Sequence, residues 1–108
     1  MKNKKKQTPS IGSAIKELRE WRGVTQQILY ENTGFVINFL SAVENGRKNI
    51  SHGTAIEIAR ALGVPTCFIY ILADNSNDEL VLKMQKQIRK QMWTEKQFGL
   101  IGPAILGE

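Results

Sequence analysis

Residues 25–49, TQQILYENTGFVINFLSAVENGRKN, decide the fold of this chain. Thr25 is a good helix N-cap, because its hydroxyl can accept a hydrogen bond from a backbone N–H of the first turn. Gly34 ends this short helix, since glycine adopts the left-handed backbone conformation without steric cost. A second helix is predicted over residues 35–44, and the turn residues Asn45-Gly46 close it. The stretch therefore predicts two short helices joined by a tight turn.

Apolar residues at helical spacing predict four more helices on either side of this stretch. Ser10 is the predicted N-cap of a first helix that ends at Gly23, and Ser51 is that of a fourth helix that ends at Gly63. A fifth helix is predicted over residues 67–72 and a sixth over residues 78–93. The inward side chains are predicted to be Ile11, Ile15, Leu18, Arg22, Leu29, Thr33, Leu40, Val43, Ala55, Ile58, Ala59 and Leu62. No strand-like alternation is convincing, so the fold class is all-α.

Composition divides the chain into three parts. Residues 1–10 form a flexible basic arm, residues 11–73 a domain with one core, and residues 78–108 a C-terminal helix with an apolar tail. The full length of 108 residues suits a single core. The tail over residues 98–106 contains Gly99, Gly102 and Pro103, so it cannot form one regular helix.

Residue counts exclude several classes of protein. Cys67 and His52 are the single cysteine and the single histidine, too few for a structural zinc site or a hydrolytic triad. We expect a packed Cys67, an exposed His52, and no enzymatic activity, metal or cofactor. No apolar run approaches the ~20 residues that cross a bilayer, and no signal peptide is evident. We therefore expect a cytoplasmic protein without membrane contact.

The formal charge of +5 is concentrated in the arm. Lys2, Lys4, Lys5 and Lys6 supply four positive charges, so the rest of the chain is close to neutral. The arm has two interpretations: a solubilising tail, or a segment that follows a DNA duplex and contacts its phosphates. Any argument for a nucleic-acid partner must depend on where individual residues lie.

The order and spacing of these motifs resemble the lambda-repressor-like, or xenobiotic-response-element (XRE), family of helix-turn-helix transcriptional regulators. The resemblance runs from Ile11 to about Leu72. The residues that carry it are Thr25-Gln26, Leu29, Thr33-Gly34, Leu40-Ser41, Val43-Glu44, Asn45-Gly46-Arg47-Lys48-Asn49, Ile58-Ala59 and Ala61-Leu62-Gly63-Val64. It implies a five-helix lambda-repressor-like domain whose third helix enters a major groove of double-stranded DNA. Here a C-terminal amphipathic helix follows that domain.

The resemblance also implies roles for individual residues. Base edges would be read by Ile37, Asn38 and Ala42, with Asn38 pairing to adenine and the other two touching thymine methyls. Arg19 and Glu44 would form a structural ion pair that orients the third helix. The residues expected at DNA phosphates are Thr25, Gln26, Asn45, Arg47, Lys48, Lys4, Lys5 and Lys6.

Three positions depart from the family pattern. Val36 stands where a capping serine or threonine is usual, Ile28 replaces a capping-box glutamate, and Tyr30 replaces a small alanine. Residues 35–40 are therefore more apolar than a groove-reading helix normally is. Either the phenylalanines and Leu40 of this segment belong to the core, or this face meets a protein.

The sixth predicted helix carries an apolar stripe of Val81, Met84, Ile88 and Met92. It follows a complete domain, so we expect it to form a homodimer that binds a two-fold DNA site. The alternative is that it folds back on its own core. The tail is expected to extend the interface or to bind a partner protein, as toxin-binding antitoxins do.

The resulting functional prediction is a sequence-specific regulator, a homodimeric repressor. The alternatives are a protein-interaction module with a degenerate helix-turn-helix, an antitoxin whose tail binds a partner, and a controller of a restriction–modification system.

Overall fold

The computed structural model describes residues 10–98, and the side chains of residues 96–98 are not among those described. Within this range the chain forms six α-helices and no strand, which confirms the predicted all-α class. The helices are α1 (Ile11–Arg22), α2 (Gln26–Thr33), α3 (Ile37–Glu44), α4 (His52–Leu62), α5 (Thr66–Ala73) and α6 (Glu79–Phe98). The predicted arm, with Lys4, Lys5 and Lys6, and the predicted tail beyond Phe98 lie outside the described residues.

Capping side chains start three helices where the sequence predicted them. Ser10, Thr25 and Ser51 each accept a hydrogen bond at 3.1 Å from the backbone N–H three residues later. Such a cap stabilises a helix by about 1 kcal/mol, because it satisfies an N–H that has no partner within the helix. The predicted starts of α1, α2 and α4 are confirmed.

The predicted start of α3 at residue 35 is wrong by two residues. Phe35 donates its backbone N–H to Thr33 Oγ1 at 3.1 Å, which holds it in the turn. Val36 is the N-cap, with an extended backbone and no capping side-chain bond. Two further helices are longer than predicted: α5 by one residue at each end, and α6 up to Phe98, because no proline or glycine interrupts the sequence before Gly99.

Most of the core is built from the inward faces of α1 to α5. The largest fully buried side chains are Ile15, Leu18, Leu29, Leu40, Val43, Ile58, Leu62, Ile69 and Leu72. Burying a side chain of this size contributes roughly 1.5–3 kcal/mol before ordering costs. The predicted inward residues of α3 and α4 are confirmed as buried, and α2 and α3 are held together at one side of the domain.

The C-terminal helix packs on the core of its own chain. Ile88 and Met92 are each 7% exposed and belong to the core cluster, so the prediction that they form a dimer seam is wrong. Val81 is half-buried, whereas Met84 remains 45% exposed. The reason is that α1 and α5 leave one edge of the core uncovered, and α6 closes it. The expectation that the first five helices leave no surface for this helix to pack against is therefore wrong.

Polar contacts also hold α6 in place. Gln85, only 8% exposed, donates from Nε2 to the carbonyls of Ile71 and Asp74, each at 2.8 Å. These carbonyls lie at the end of α5, where the regular helical donors run out, and the Ile71 carbonyl also accepts from the Asp74 N–H at 3.2 Å. Trp21 Nε1 donates to the Met92 carbonyl at 3.0 Å. Thus α6 is fixed to both α1 and α5.

The two residues considered for metal or catalytic chemistry are both exposed. Cys67 is exposed, so the expectation that it packs in the core is wrong; on α5 the inward positions are Ile69 and Leu72. His52 is exposed, as predicted, and its Nδ1 lies 2.7 Å from the hydroxyl of Tyr70. Among residues 10–98, no group of three or more His, Cys, Asp or Glu side chains could hold a metal ion.

No single helix within residues 10–98 is both long enough and apolar enough to cross a membrane. Helices α4 and α5 meet these two criteria only when taken together, and the pair is bent by 111°.

Candidate nucleic-acid interface

The turn between α2 and α3 is fixed by one glycine and one threonine. Gly34 has φ +82°, in the left-handed region, and donates its N–H to the Tyr30 carbonyl at 2.7 Å. Thr33 Oγ1 donates to the Leu29 carbonyl at 2.7 Å and accepts from the N–H of Phe35. The angle between the two helices is therefore set by short bonds within the turn itself.

The predicted base-reading residues lie along one side of α3. Ile37 and Asn38 are exposed on its first turn, and Ala42, half-buried, follows Asn38 one turn later. Leu40 and Val43 point the other way, into the core. The arrangement leaves the start of α3 accessible while its end is packed against the domain.

Glu44, the last residue of α3, is the centre of a buried polar cluster. Arg19 donates to both of its carboxylate oxygens, from Nε to Oε2 at 2.7 Å and from Nη2 to Oε1 at 3.0 Å. Gln26 Nε2 also donates to Oε1, at 3.1 Å. The Glu44 side chain is 3% exposed and that of Arg19 is 12% exposed. One carboxylate therefore joins α1, the start of α2 and the end of α3.

The Arg19 guanidinium is bound on two sides. Its Nη1 donates to the Val24 carbonyl at 2.8 Å, so it fixes the loop before α2 as well as α3. The hydrogen bond with Glu44 raises the pKa of Arg19 above its usual value, and this outweighs burial, which lowers it. The pair is charged and bidentate, a geometry that favours orientation more than net stability.

Among the described residues, those expected at phosphates fall into two groups that both adjoin the end of α3: the start of α2, which Gln26 joins to Glu44, and the loop that follows α3. Thr25 and Gln26 lie at the N-terminus of α2, where free N–H groups and the helix dipole favour an anion. One N–H of the Gln26 amide is used by Glu44, and the other can still donate.

The second group follows α3. Asn45 Nδ2 donates to Ser41 Oγ at 3.4 Å, and the Arg47 N–H donates to the Ala42 carbonyl at 2.8 Å, so the loop folds back on the end of the helix. The side chains of Arg47 and Lys48 are exposed and form no ion pair with any described residue. They are free to meet an external anion.

Sequence reasoning missed two positioning residues and one hydrogen bond. Gly12 lies so close to α3 that an added Cβ would be 1.8 Å from the Val43 carbonyl oxygen. A glycine inside a helix was the signal, since it costs about 0.5–1 kcal/mol relative to alanine. Gln85 could have been found as a polar residue on the inward face of α6. The Gln26–Glu44 bond had no signal in the sequence.

Comparison with known proteins supports the same motif. Residues 15–69, which run from α1 into α5, match the model of the helix-turn-helix family HTH_3. An uncharacterized HTH-type transcriptional regulator, y4dJ of Sinorhizobium fredii, is 41% identical over 54 residues, which are 50% of this chain and 70% of that protein. No solved structure shows a significant match.

Proposed function

This chain belongs to the helix-turn-helix family HTH_3, and from that membership we propose that it is a transcriptional regulator that binds double-stranded DNA sequence-specifically. One observation carries the proposal. The first turn of α3 is exposed, and the other end of the helix adjoins two places suited to phosphates. One is the anion-favouring start of α2 at Gln26, which bonds to Glu44, and the other is the exposed pair Arg47 and Lys48, which has no ionic partner among the described residues. Such a helix can present its N-terminal side chains to base edges in a major groove while phosphate contacts position it.

Within this arrangement, Asn38, Ile37 and Ala42 read base edges. The Asn38 amide can pair with the N6 and N7 atoms of adenine, and such a bidentate contact discriminates by about 1–3 kcal/mol. Thr25, Gln26, Asn45, Arg47 and Lys48 bind phosphates and set the register. The arm lysines Lys4, Lys5 and Lys6, outside the described residues, add phosphate contacts in the same proposal.

The regulator acts as a homodimeric repressor in this proposal. A helix of eight residues contacts few base pairs, so two copies on a two-fold site are needed for high specificity. With Ile88 and Met92 buried in the chain's own core, the seam must use the apolar side chains that α6 leaves exposed. Within residues 79–95 of α6, these are Leu80, Leu82, Met84 and Trp93.

A protein-interaction module is the second candidate, and one observation favours it. Ile28, Tyr30, Val36 and Ile37 are large apolar side chains exposed on or beside α2 and α3. In the antitoxin version of this alternative, the tail beyond Phe98 binds a partner protein. The two cations after α3 favour DNA over this alternative.

The dependence of DNA affinity on salt tests the proposed phosphate contacts. Selection from random duplexes first supplies the preferred site, and binding to it is then measured across a salt series. Log K is expected to fall with log salt by about 0.9 for each phosphate neutralised. Arg47→Ala should reduce that slope by about 1, whereas Lys83→Ala on α6 is the control and should leave it unchanged. A flat response of the wild type would contradict the proposal.

Asn38→Ala separates base reading from backbone contact. It should weaken binding to the preferred site by about 1–3 kcal/mol, relax one base position and leave nonspecific affinity unchanged. Asn38 is exposed, so the variant should remain folded. Equal losses on specific and nonspecific duplexes would remove Asn38 from the set of base-reading residues.

A pair of charges on α6 tests the dimer. Leu80 and Met84 are 70% and 45% exposed, one turn apart, so changing both to aspartate should disrupt a dimer without disturbing the core. Light scattering should show a dimeric wild type at tens of micromolar and a monomeric variant. Asn75→Asp, in the exposed loop before α6, is the control and should stay dimeric. A wild-type monomer at this concentration would exclude the homodimer.

A further inference from the structure

The accessible start of α3 is mainly apolar. Val36 is 56% exposed and Ile37 is 37% exposed, side by side at the beginning of the helix. Asn38 is the exposed polar side chain in this first turn. Ser41, one turn further, is half-buried, and its hydroxyl already accepts from Asn45. At the start of this surface, Asn38 is therefore the side chain that can hydrogen-bond to a ligand.

These two side chains are not explained by folding. Leu40 and Val43 supply the buried face of α3, so the core does not need Val36 or Ile37. Valine is also among the poorest N-cap residues, and Val36 makes no capping bond. A serine or threonine there would stabilise the start of α3, so the exposed valine points to a role outside the domain.

The chemistry of the major groove identifies what an apolar side chain can recognise there. Guanine, adenine and cytosine present donors or acceptors at this edge, whereas thymine adds a C5-methyl group beside its O4. An apolar side chain packed against a donor or acceptor displaces the water that hydrogen-bonds to this group and supplies no replacement, which is unfavourable. Packing the same side chain against the thymine methyl group is favourable, because apolar surface is then removed from water.

We infer that Val36 and Ile37 are specificity-determining residues that bind the C5-methyl groups of adjacent thymines next to the base read by Asn38. Val36 was not among the residues expected to read bases. The inference rests on the proposed function, because it requires α3 to lie in the major groove. It adds to that function a class of site: each half-site holds thymines whose methyl groups contribute directly to affinity.

Charge favours DNA over a protein as the occupant of this surface. Arg47 and Lys48 follow α3 and have no ionic partner among the described residues. The carboxylate of α3, Glu44, is buried and neutralised by Arg19. A stable protein interface also needs about 800 Å² from each partner, far more than the side chains of Val36 and Ile37 supply.

The test compares thymine with deoxyuridine, which lacks only the C5-methyl group. Each thymine of the selected site is replaced in turn by deoxyuridine, and affinity is measured for the wild type. At one or two positions in each half-site, binding should weaken about fourfold, the factor expected for burying one methyl group. All other positions should change less than this, since their methyl groups are not contacted.

Variants assign each methyl group to a side chain. In Val36→Ala and Ile37→Ala the effect of deoxyuridine should disappear at the position that each residue contacts, as a double-mutant cycle requires. Both residues are exposed, so both variants should remain folded. Tyr70→Ala, 39% exposed on α5 and outside every proposed contact, is the matched control and should keep the wild-type response. An unchanged response in both α3 variants would overturn the inference.

A third series of duplexes replaces thymine by 5-methylcytosine, which carries the same methyl group, and compares the affinity for the two bases. At the sensitive position, 5-methylcytosine should bind more weakly than thymine, because its N4 amine would face an apolar side chain. Tighter binding to 5-methylcytosine would overturn the assignment to thymine. If duplexes are bound in a salt-dependent manner but deoxyuridine has no effect, this inference fails and the proposed function stands. If no duplex is bound, both fail.

Discussion

Gly12→Ala is expected to destabilise the fold by about 3 kcal/mol, at the upper end of the range for overpacked positions. In most helix interiors the same change stabilises by about 0.5–1 kcal/mol, because alanine is the better helix former. Here the new methyl group would meet the Val43 carbonyl oxygen at 1.8 Å and its carbon at 2.8 Å. Since these are backbone atoms, α1 and α3 must move apart.

A second glycine in the chain provides the matched control. For Gly53, in the first turn of α4, an added Cβ would come no closer than 3.8 Å to an atom outside its chain neighbours and its own helix backbone, and that atom is the hydroxyl oxygen of Ser51. Gly53→Ala should therefore be neutral or stabilising. Urea unfolding followed by circular dichroism gives both free energies, provided that the m-values agree. A Gly12→Ala variant as stable as the wild type would show that the two helices are not in close contact.

Glu44→Ala has the other large expected effect, on stability and on DNA affinity together. It leaves the Arg19 guanidinium, 12% exposed, without its carboxylate, and breaking a buried pair on one side costs about 3–5 kcal/mol. It also frees Gln26 at the start of α2. The free energy of unfolding should fall by that amount, and site-specific DNA binding should be lost at temperatures where the variant is still folded.

A double substitution separates these two effects. Arg19→Met with Glu44→Leu removes both charges and fills the space, and such replacements are often neutral or stabilising. We expect a stability within about 1 kcal/mol of the wild type. DNA affinity should remain low, because α3 and Gln26 have lost the group that orients them. A double variant that binds DNA normally would show that the pair has no positioning role.

Much of the domain could be predicted because its signals are local. A capping hydroxyl and a glycine nine or twelve residues later define α2 and α4, and side-chain periodicity alone identifies Leu40 and Val43 as buried. The start of α3 could not be found this way, because Val36 caps nothing and the turn is held by Thr33 instead. The juxtaposition of Arg19 and Glu44 was expected only from the family resemblance.

The docking of α6 shows where periodicity stops being informative. An apolar stripe indicates that a helix packs against some surface. The same stripe fits the edge of the chain's own core and a second subunit equally well. Ile88 and Met92 pack on the core, and the deciding group was Gln85, a polar residue whose carbonyl partners lie at the end of α5. A glycine inside a helix marks position 12 as unusual, but the contact of Gly12 with α3 cannot be identified from the sequence, since it depends on how closely two separate helices approach.

The bond from Gln26 to Glu44 has a thermodynamic consequence for association. A glutamine side chain that is ordered only on binding loses rotamer freedom at that step, at a cost of about 0.5–1.5 kcal/mol. In this protein Gln26 is already held by Glu44 in the unbound state, so that entropy is lost during folding. Arg47 and Lys48 have no such partner among residues 10–98, so in the proposed complex they would lose their rotamer freedom on binding DNA. The proposed contact at the start of α2 is therefore preorganised, and the proposed contact after α3 would be ordered by the duplex.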